Sequence, residues 1–263
     1  MDNENSLYEL LNEISFVKCI LFLVVIYLIV TGFSMIFNFS FDSLLFKICL
    51  YIPMLLFFII SLNYPSDLIK KDYNGLFNLN NFKKILFIIL ANVLFTIFIF
   101  FILRYMSTGL FRLDAQLFAY LDLNYPIYVL MYFLAVVILS PIVEELLFRG
   151  IILRKLNTDY NFSIPIAILI SSLLFGLCHS FGGILSAFVF GICMSVIYLK
   201  TKNILVPILA HTLNNLISFI LAFTRIEYYL ISNGIIIIIV LILFVITNFI
   251  LFKHIFNEIS NLN

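Results

Sequence analysis

The sequence predicts an all-α polytopic membrane protein with about eight transmembrane helices, because it is apolar, sparsely charged and divided into long apolar segments. Of its 263 residues, 64% are hydrophobic and 11% are charged, and the mean hydropathy is +1.18. Soluble domains carry roughly 25% charged residues, so this chain has too few to cover a water-facing surface. A segment of about 20 apolar residues crosses roughly 30 Å of hydrocarbon. Such a segment must be helical, because lipid offers backbone groups no partners.

The apolar segments differ in length and in residue size. They lie near residues 16–36, 44–62, 83–106, 126–156, 163–180, 183–200, 203–222 and 233–253. The fourth is long for one crossing, and Pro141 within it is expected to kink or break the helix. The fifth and sixth are separated only by residues 181–183, so the chain is expected to turn there below the membrane surface. The third and eighth are bulky and expected to face lipid, whereas small residues in the fifth and sixth favour close packing.

The basic residues predict which side of the membrane holds the termini. With eight spans, both termini share one side with most of the loop lysines and arginines, namely Lys70, Lys71, Lys83, Lys84, Arg154, Lys155, Lys200 and Lys202. Both termini are therefore expected to be cytoplasmic, in a multi-pass protein of the cell (plasma) membrane. The net charge of +1, without a basic run, predicts no nucleic-acid partner. Four cysteines without CxxC spacing predict free thiols and no zinc ribbon.

Five ionisable residues lie deep in the predicted spans: Glu144, Glu145, Arg149, His179 and His211. A charge at a helix centre costs at least about 2.5–3.5 kcal/mol on insertion scales, so each one needs a physical reason. Glu145 and Arg149 are four residues apart on one helix face, so they can form an ion pair. Glu144 is rotated by about 100° from Glu145 and is left for another partner. The alternative is that both glutamates share Arg149 as a buried clamp.

The two histidines stand in the short motifs FGLCH and HTLNN. Phe175 and His179 are at i and i+4, as are His211 and Asn215, so each pair shares a helix face. Phe175 can form a wall beside the His179 imidazole, and Asn215 can offer an amide donor beside His211. A lone buried histidine is more often a hydrogen-bonded core residue, but two histidines with a spare carboxylate and an amide indicate a site. At 1.5 Å per residue, Glu144 and His211 lie about 15 and 12 Å from the cytoplasmic side, and His179 nearer 24 Å.

This set of side chains suits the activation of water for hydrolysis of an acyl bond, most simply a peptide bond. A desolvated carboxylate is a usable general base, and a histidine or asparagine donor can stabilise a tetrahedral oxyanion. The sequence contains no HExxH helix and no GxGD motif, which other intramembrane proteases would need. Cys178 directly precedes His179 and would point about 100° away from it on a helix, so the two cannot form a dyad.

EELLFR, FGLCH and HTLNN follow one another at spacings of 35 and 32 residues between Glu144, His179 and His211. They resemble the motifs EExxxR, FxxxH and HxxxN of the CAAX-protease and bacteriocin-processing family. This family, also called CPBP or Abi, includes the eukaryotic Ras-converting CAAX endopeptidase. The resemblance implies a protease core at residues 126–222 with an active site among helices 4, 5 and 7. The other regions are a cytoplasmic tail (1–15), spans one to three (16–125), and a last span with a short tail (223–263).

The resemblance implies a role for each matched residue. Glu144 would be the general base, acting with His179 on the attacking water, and His211 and Asn215 would hold the oxyanion. Proteins of this family are also labelled metalloproteases, so zinc bound by Glu144, His179 and His211, with an open fourth position, is an alternative. We favour a mechanism that requires no cofactor, because these residues already supply a base and an oxyanion hole.

Three further residues are implied to support the site. Glu145 and Arg149 would position the general base, and Phe175 would shape the pocket. The implied partners are a peptide or membrane-protein substrate and the lipid bilayer, in peptide maturation, bacteriocin immunity or signalling. Abundant Ile, Phe and Asn without Trp indicate a bacterial source, in which a prenylated substrate is less expected. A non-catalytic scaffold or immunity protein of the same fold is the alternative function. A proton-coupled transporter is disfavoured because the sequence shows no inverted repeat.

Overall fold

The computed structural model of the chain describes residues 7–38, 44–62, 70, 72–73, 76, 79–109, 125–179, 183–224 and 226–262. Within these ranges the chain is helical, with short turns between helices and no β-strand. The predicted all-α fold is therefore confirmed.

The helices in chain order are α1 (Leu7–Glu13), α2 (Phe16–Phe37), α3 (Leu44–Leu62), α4 (Leu79–Gly109), α5 (Pro126–Thr158), α6 (Ile164–Leu177), α7 (Ile184–Thr201), α8 (Leu205–Thr224), α9 (Ile226–Ser232) and α10 (Gly234–Ser260). In the described part of the chain, seven of them are long and apolar enough to cross a membrane: α2, α3, α4, α5, α7, α8 and α10.

The predicted fifth span, at 163–180, is shorter than expected. Helix α6 has 14 residues, or about 21 Å at 1.5 Å per residue, against roughly 30 Å of hydrocarbon. The N–H groups of Cys178 and His179 bond carbonyls only three residues back, at 3.3 and 3.0 Å, and this tighter turn ends the helix. Seven helices of spanning length and one shorter apolar helix therefore occupy the eight predicted segments.

Helix α5 runs without interruption for 33 residues, so the break considered at Pro141 does not occur. The turns at Phe133–Leu139 and Leu146–Leu153 are π-helical. In a π-turn each N–H bonds the carbonyl five residues back, as the Ser140 N–H does with Ala135 O. The extra residue in each turn widens the backbone ahead of the proline ring, which can therefore follow without breaking the helix.

Helix α5 lies at the centre of the bundle and packs against α1, α3, α6 and α8. The most extensive contact within the described residues joins α6 and α7, where the sequence predicted close packing of small residues. A Cβ added at Gly191 would lie 3.1 Å from the Cβ of Ser172 and 3.3 Å from Nη2 of Arg149. Glycine at this position therefore brings α7 against both α6 and the arginine of α5.

Helix α4, the predicted third span, was expected to face lipid, but one side of it is buried in the bundle. It packs against α7, α8 and α10, and Ala91 and Asn92 on its inner side are buried. The Asn248 side chain on α10 donates to the carbonyl of Ala91 at 3.2 Å. An interhelical amide contact thus replaces the lipid contact that bulky residues had indicated.

The predicted N-terminal tail contains a helix that is docked on α5. The Leu11 side chain of α1 is fully buried, and a Cβ added at Gly150 would lie 3.2 Å from its Cδ atoms. Arg154 donates to the carbonyl of Tyr8 at 3.0 Å, and its guanidinium lies 3.5 Å from the centre of the Tyr8 ring. Lys155 donates to the carbonyl of Asn12, near the end of α1, at 2.6 Å. The basic end of α5 therefore holds α1 through its backbone.

Candidate active site

The Glu145–Arg149 ion pair expected from the spacing lies in the middle of the bundle. Arg149 Nη1 is 3.0 Å from Glu145 Oε1, and both side chains are completely buried. The guanidinium also donates from Nη2 to the carbonyl of Gly191 at 3.3 Å and lies 4.2 Å from the centre of the Phe175 ring. A buried charge is costly unless it is paired and hydrogen-bonded. These contacts satisfy both terminal nitrogens of Arg149, whereas its Nε and Glu145 Oε2 have no hydrogen-bond partner among the described residues.

Glu145 also orients a histidine. Its Oε1 accepts a hydrogen bond from Nδ1 of His211 at 2.8 Å. A carboxylate only accepts, so Nδ1 carries a proton. His211 is 2% exposed, and Phe175 and Phe190 meet it edge-on, with ring centroids 5.6 and 5.4 Å away. The ring is therefore fixed in position, with Nδ1 protonated.

Glu144 has different partners from Glu145. Tyr51 on α3 donates its hydroxyl to Oε1 at 2.7 Å, and Ser140, one turn earlier on α5, donates to the same oxygen. The other oxygen, Oε2, is buried and has no hydrogen-bond partner among the described residues. It lies 4.0 Å from Nε2 of His211. The ion pair with Arg149 involves Glu145, so these contacts do not form a clamp shared by the two glutamates.

His179 lies just beyond the end of α6 and faces the same phenylalanine as His211. Its Nδ1 is 2.8 Å from the carbonyl of Phe175, and because a carbonyl only accepts, Nδ1 is protonated and Nε2 is the acceptor. The ring packs on Phe175 with centroids 4.7 Å apart. The two histidines thus flank one ring, although counting along the spans put them at different depths. His179 and Glu144 are therefore joined by a series of contacts. His179 packs on Phe175, Phe175 meets His211, and His211 Nε2 lies 4.0 Å from Glu144 Oε2.

Asn215 is bonded to the backbone of α5. Its Nδ2 donates to the carbonyl of Val136 at 2.9 Å. With the five-residue spacing of a π-turn, this carbonyl would bond the N–H of residue 141, and proline has none. Asn215 therefore supplies the donor that Pro141 lacks. A carboxamide has two N–H groups, so one remains for another acceptor.

Residues of the second and third motifs line a cavity of about 150 Å³ between α4, α6, α7 and α8, whereas Glu144, Glu145 and Arg149 of the first motif are not among its lining residues. A large part of its wall is made of amide, hydroxyl and imidazole groups. Its lining residues are Asn92, Thr96, Phe175, His179, Gly183, Ser186, Ala187, Phe190, His211, Asn214, Asn215 and Ser218. Both histidines and Asn215 therefore line the same cavity, although they come from two separate motifs.

The residues named for the alternative zinc site do not form a three-ligand site within the described part of the chain. Tetrahedral ligands about 2.1 Å from zinc lie roughly 3.4 Å from one another, whereas Glu144 Oε2 and His211 Nε2 are 4.0 Å apart. The other oxygen of Glu144 is occupied by two hydroxyls. Within the described ranges, no group of three His, Cys, Asp or Glu side chains is placed to hold a metal ion. The donor set of Glu144, His179 and His211 therefore does not fit zinc in this arrangement.

Sequence reasoning missed several polar residues at the site, four of which are hydrogen-bonded to Glu144, to Asn215 or to each other. Ser140 could have been found, because it stands four residues before Glu144 and shares its helix face. Asn214 lies inside the motif HTLNN. Tyr51 and Asn92 belong to apolar spans without motifs. The only sequence signal for them is a polar side chain within an apolar segment of membrane-spanning length. Both come from the N-terminal half of the chain, for which no function had been predicted.

The fold and the site define a class of protein, an all-α polytopic membrane protein with a buried glutamate–histidine cluster beside a polar cavity. Residues 126–217 match the sequence model of the family described as Type II CAAX prenyl endopeptidase Rce1-like. This segment contains all three motifs, including Glu144, His179, His211 and Asn215. The resemblance to the CAAX-protease family is thereby confirmed over this segment.

Two curated proteins are similar to part of the chain. "Putative membrane peptidase YdiL" of Bacillus subtilis (strain 168) is 37% identical over 94 residues, which are 35% of this chain and 38% of that protein. "Uncharacterized 24.3 kDa protein" of Escherichia coli is 36% identical over 87 residues, 32% of this chain and 40% of that protein. The chain thus spans about two-fifths of the length of each relative. No solved structure matches it significantly.

Proposed function

We propose that the protein is an intramembrane endopeptidase that hydrolyses a peptide bond with water activated by Glu144 and His179. The observation that carries this proposal is the asymmetry of the Glu144 carboxylate. Two hydroxyls hold Oε1, whereas Oε2 is buried, unpaired among the described residues and 4.0 Å from His211 Nε2. A carboxylate held in this way presents one oxygen as a proton acceptor. The family match over 126–217 and the name of the Bacillus relative support a membrane peptidase in general.

In the proposed reaction, Glu144 Oε2 takes a proton from water while the water oxygen bonds to the scissile carbonyl carbon. The C=O electron pair moves to its oxygen and gives a tetrahedral oxyanion. Collapse of this intermediate breaks the C–N bond, and Glu144 returns the proton to the leaving nitrogen. His179, whose Nε2 is an acceptor, orients the same water. General-base catalysis of this kind contributes roughly 10²–10⁴-fold to the rate.

His211 and Asn215 are the proposed donors to the oxyanion. Asn215 has a second amide N–H beyond the one bonded to Val136. His211 can donate from Nε2 only as an imidazolium, and the Glu145 carboxylate on its Nδ1 stabilises that charge. Removing one oxyanion donor typically lowers kcat by roughly 10²–10³-fold. Arg149 acts through Glu145 and is a positioning residue.

The proposed substrate is a short peptide or a membrane-tethered protein, and the bilayer is the other partner. Peptide maturation, bacteriocin immunity and signalling are the proposed settings. We place both termini in the cytoplasm, where basic residues are concentrated. The short α6 does not alter this proposal, because α6 and α7 pack as a hairpin whose two open ends share one side whatever the depth of its turn.

The test is cleavage of a panel of membrane-tethered peptides by the purified protein in detergent, with and without a strong chelator. Wild type is compared with Glu144→Gln, His179→Ala and His211→Ala. The expected result is cleavage that all three substitutions abolish and the chelator leaves unchanged. Loss with chelator, restored by zinc, would replace the proposed mechanism with a zinc-dependent one.

Two outcomes would contradict the catalytic assignment. Cleavage by Glu144→Gln at the wild-type rate would remove Glu144 as the base. Full cellular function of the same variant would instead favour a non-catalytic scaffold or immunity protein. Folding of each variant is checked by thermal unfolding in the same detergent, so that loss of structure is not mistaken for loss of chemistry.

A further inference from the structure

Three asparagine side chains form a hydrogen-bonded chain from α5, through α8, to α4. Asn215 Nδ2 donates to the carbonyl of Val136 at 2.9 Å. Asn214 Nδ2 donates to Asn215 Oδ1 at 3.5 Å, and Asn92 Nδ2 donates to Asn214 Oδ1 at 3.0 Å. All three asparagines line the 150 Å³ cavity. Asn92 lies outside the segment that matches the family.

The backbone of α5 sets the direction of this chain. The Val136 carbonyl can only accept, so Asn215 must turn Nδ2 towards it and Oδ1 towards Asn214. Asn214 must then donate to Asn215 and accept from Asn92. Asn92 must donate in turn, so the acceptor left over at the end of the three hydrogen bonds is its Oδ1. Because Pro141 has no N–H to offer the Val136 carbonyl, Asn215 donates to it instead. This contact determines the direction of all three hydrogen bonds.

Among the residues that the structure describes, the Oδ1 atom at the end of these three hydrogen bonds has no partner. Asn92 is 8% exposed, and its Oδ1 is buried with no hydrogen bond to the described residues. Buried polar atoms are normally hydrogen-bonded to protein or to an ordered molecule. Asn92 is among the residues that line the cavity, so a molecule that reaches its amide from that side would supply the missing donor. The group that pairs with this Oδ1 is an N–H or an O–H.

We propose that the cavity is a binding subsite for a substrate side chain that carries an N–H or O–H donor, and that Asn92 selects it. This inference rests on the proposed peptidase function, because His179 and His211 line the same cavity and would place this side chain next to the scissile bond. The volume of about 150 Å³ is below the roughly 300–1,000 Å³ of pockets for drug-sized ligands, so it suits one amino-acid side chain. Serine, threonine, asparagine and glutamine fit this description, whereas a prenyl group or an aliphatic side chain leaves the amides unpaired.

The test uses pairs of peptides that differ only in one donor group, threonine against valine and asparagine against leucine, placed in turn at each position around the cleaved bond. At one position wild type should cleave the donor peptide with at least about 10²-fold higher kcat/KM, because a site built to hydrogen-bond a group rejects the analogue that lacks it. Asn92→Leu should remove most of this preference. Asn92→Ala replaces it if the leucine variant does not fold.

Asn248→Leu is the matched control. Asn248 is a membrane amide that is 3% exposed, it contacts the carbonyl of Ala91, and it is not among the residues lining the cavity. Its substitution should leave the wild-type preference unchanged. Equal cleavage of the paired peptides by wild type at every position would overturn the proposal, as would the same loss of preference in Asn248→Leu and Asn92→Leu.

A binding arm separates this inference from the proposed function. The same peptides, carrying a photocrosslinker, are captured by wild type, Asn92→Leu and Asn248→Leu without any need for cleavage. If wild type cleaves no peptide but captures the donor peptide preferentially, and Asn92→Leu does not, the subsite stands and the peptidase function fails. Equal capture of both peptides, or capture of neither, overturns the subsite.

Discussion

The substitution Tyr51→Phe removes one hydroxyl from α3 and tests whether Glu144 depends on a helix outside the motif segment. In the structure this hydroxyl donates to Glu144 Oε1 at 2.7 Å, and Ser140 donates to the same oxygen. Phenylalanine keeps the ring and its packing. The change is therefore confined to one hydrogen bond that holds the proposed base with Oε2 free.

The expected loss follows from the strength of that bond. A hydrogen bond to a charged group contributes about 1.5–3 kcal/mol. Because the Ser140 hydroxyl still donates to Oε1 after Tyr51→Phe, the expected loss is at the lower end of this range. Since 1.36 kcal/mol corresponds to a tenfold change in rate, kcat should fall about tenfold. KM should change little, because Tyr51 is not among the residues lining the cavity. Tyr51→Phe with Ser140→Ala removes both donors and should lower kcat by roughly 10²-fold or more, without strict additivity.

The assay is steady-state cleavage of the best peptide from the panel, with Tyr27→Phe as the control. Tyr27 lies on the exposed side of α2 and packs edge-on against Phe46, so the same substitution there should leave kcat unchanged. A wild-type kcat in Tyr51→Phe would refute the reasoning that its hydroxyl positions Glu144. A higher KM with unchanged kcat would assign Tyr51 to substrate binding instead.

Three further substitutions test the packing around the site by thermal unfolding in detergent. Arg149→Met leaves the carboxylate of Glu145 buried without its cation and should destabilise the protein by about 3–5 kcal/mol; an unchanged Tm would mean that the ion pair does not stabilise the bundle. Gly191→Ala places a Cβ 3.3 Å from Arg149 Nη2 and should cost about 1–3 kcal/mol by overpacking, a result that a Tm equal to wild type would contradict. Leu11→Ala opens a cavity beneath α1 and should cost about 2–5 kcal/mol, whereas a loss below 0.5 kcal/mol on the same scale would show that α1 is not firmly docked.

The helical segments could be predicted because lipid imposes both their length and their hydrogen bonding. The segment at 163–180 is the exception, since its helix ends at Leu177. Hydropathy cannot detect this end, because Cys178 is as compatible with an apolar span as the residues before it, and the tight turn is a backbone feature. The course of α5 through Pro141 was unpredictable for a similar reason. It depends on π-turns and on a donor from Asn215, which lies on another helix.

At the site, residue spacing could predict contacts within one helix but not contacts between helices. The Glu145–Arg149 pair followed from positions four residues apart, and the motifs identified both histidines. Spacing could not show that Glu145 also accepts the His211 Nδ1–H, because that contact joins α5 to α8. The depth count likewise separated His179 from His211, although both contact the Phe175 ring.

The sequence by itself determined that this protein is a helical membrane protein and which ionisable residues are candidates for chemistry, since charged and imidazole side chains are costly in lipid unless they have a partner or a function. Only the tertiary structure decided which oxygen of Glu144 is hydrogen-bonded and which has no partner among the described residues, and that Tyr51 and Asn92 lie at the candidate site. Polar side chains on different helices pair according to the rotation and depth of each helix. Helix packing sets those quantities, and in apolar spans that are bulky on every side the sequence carries no periodic signal to specify them.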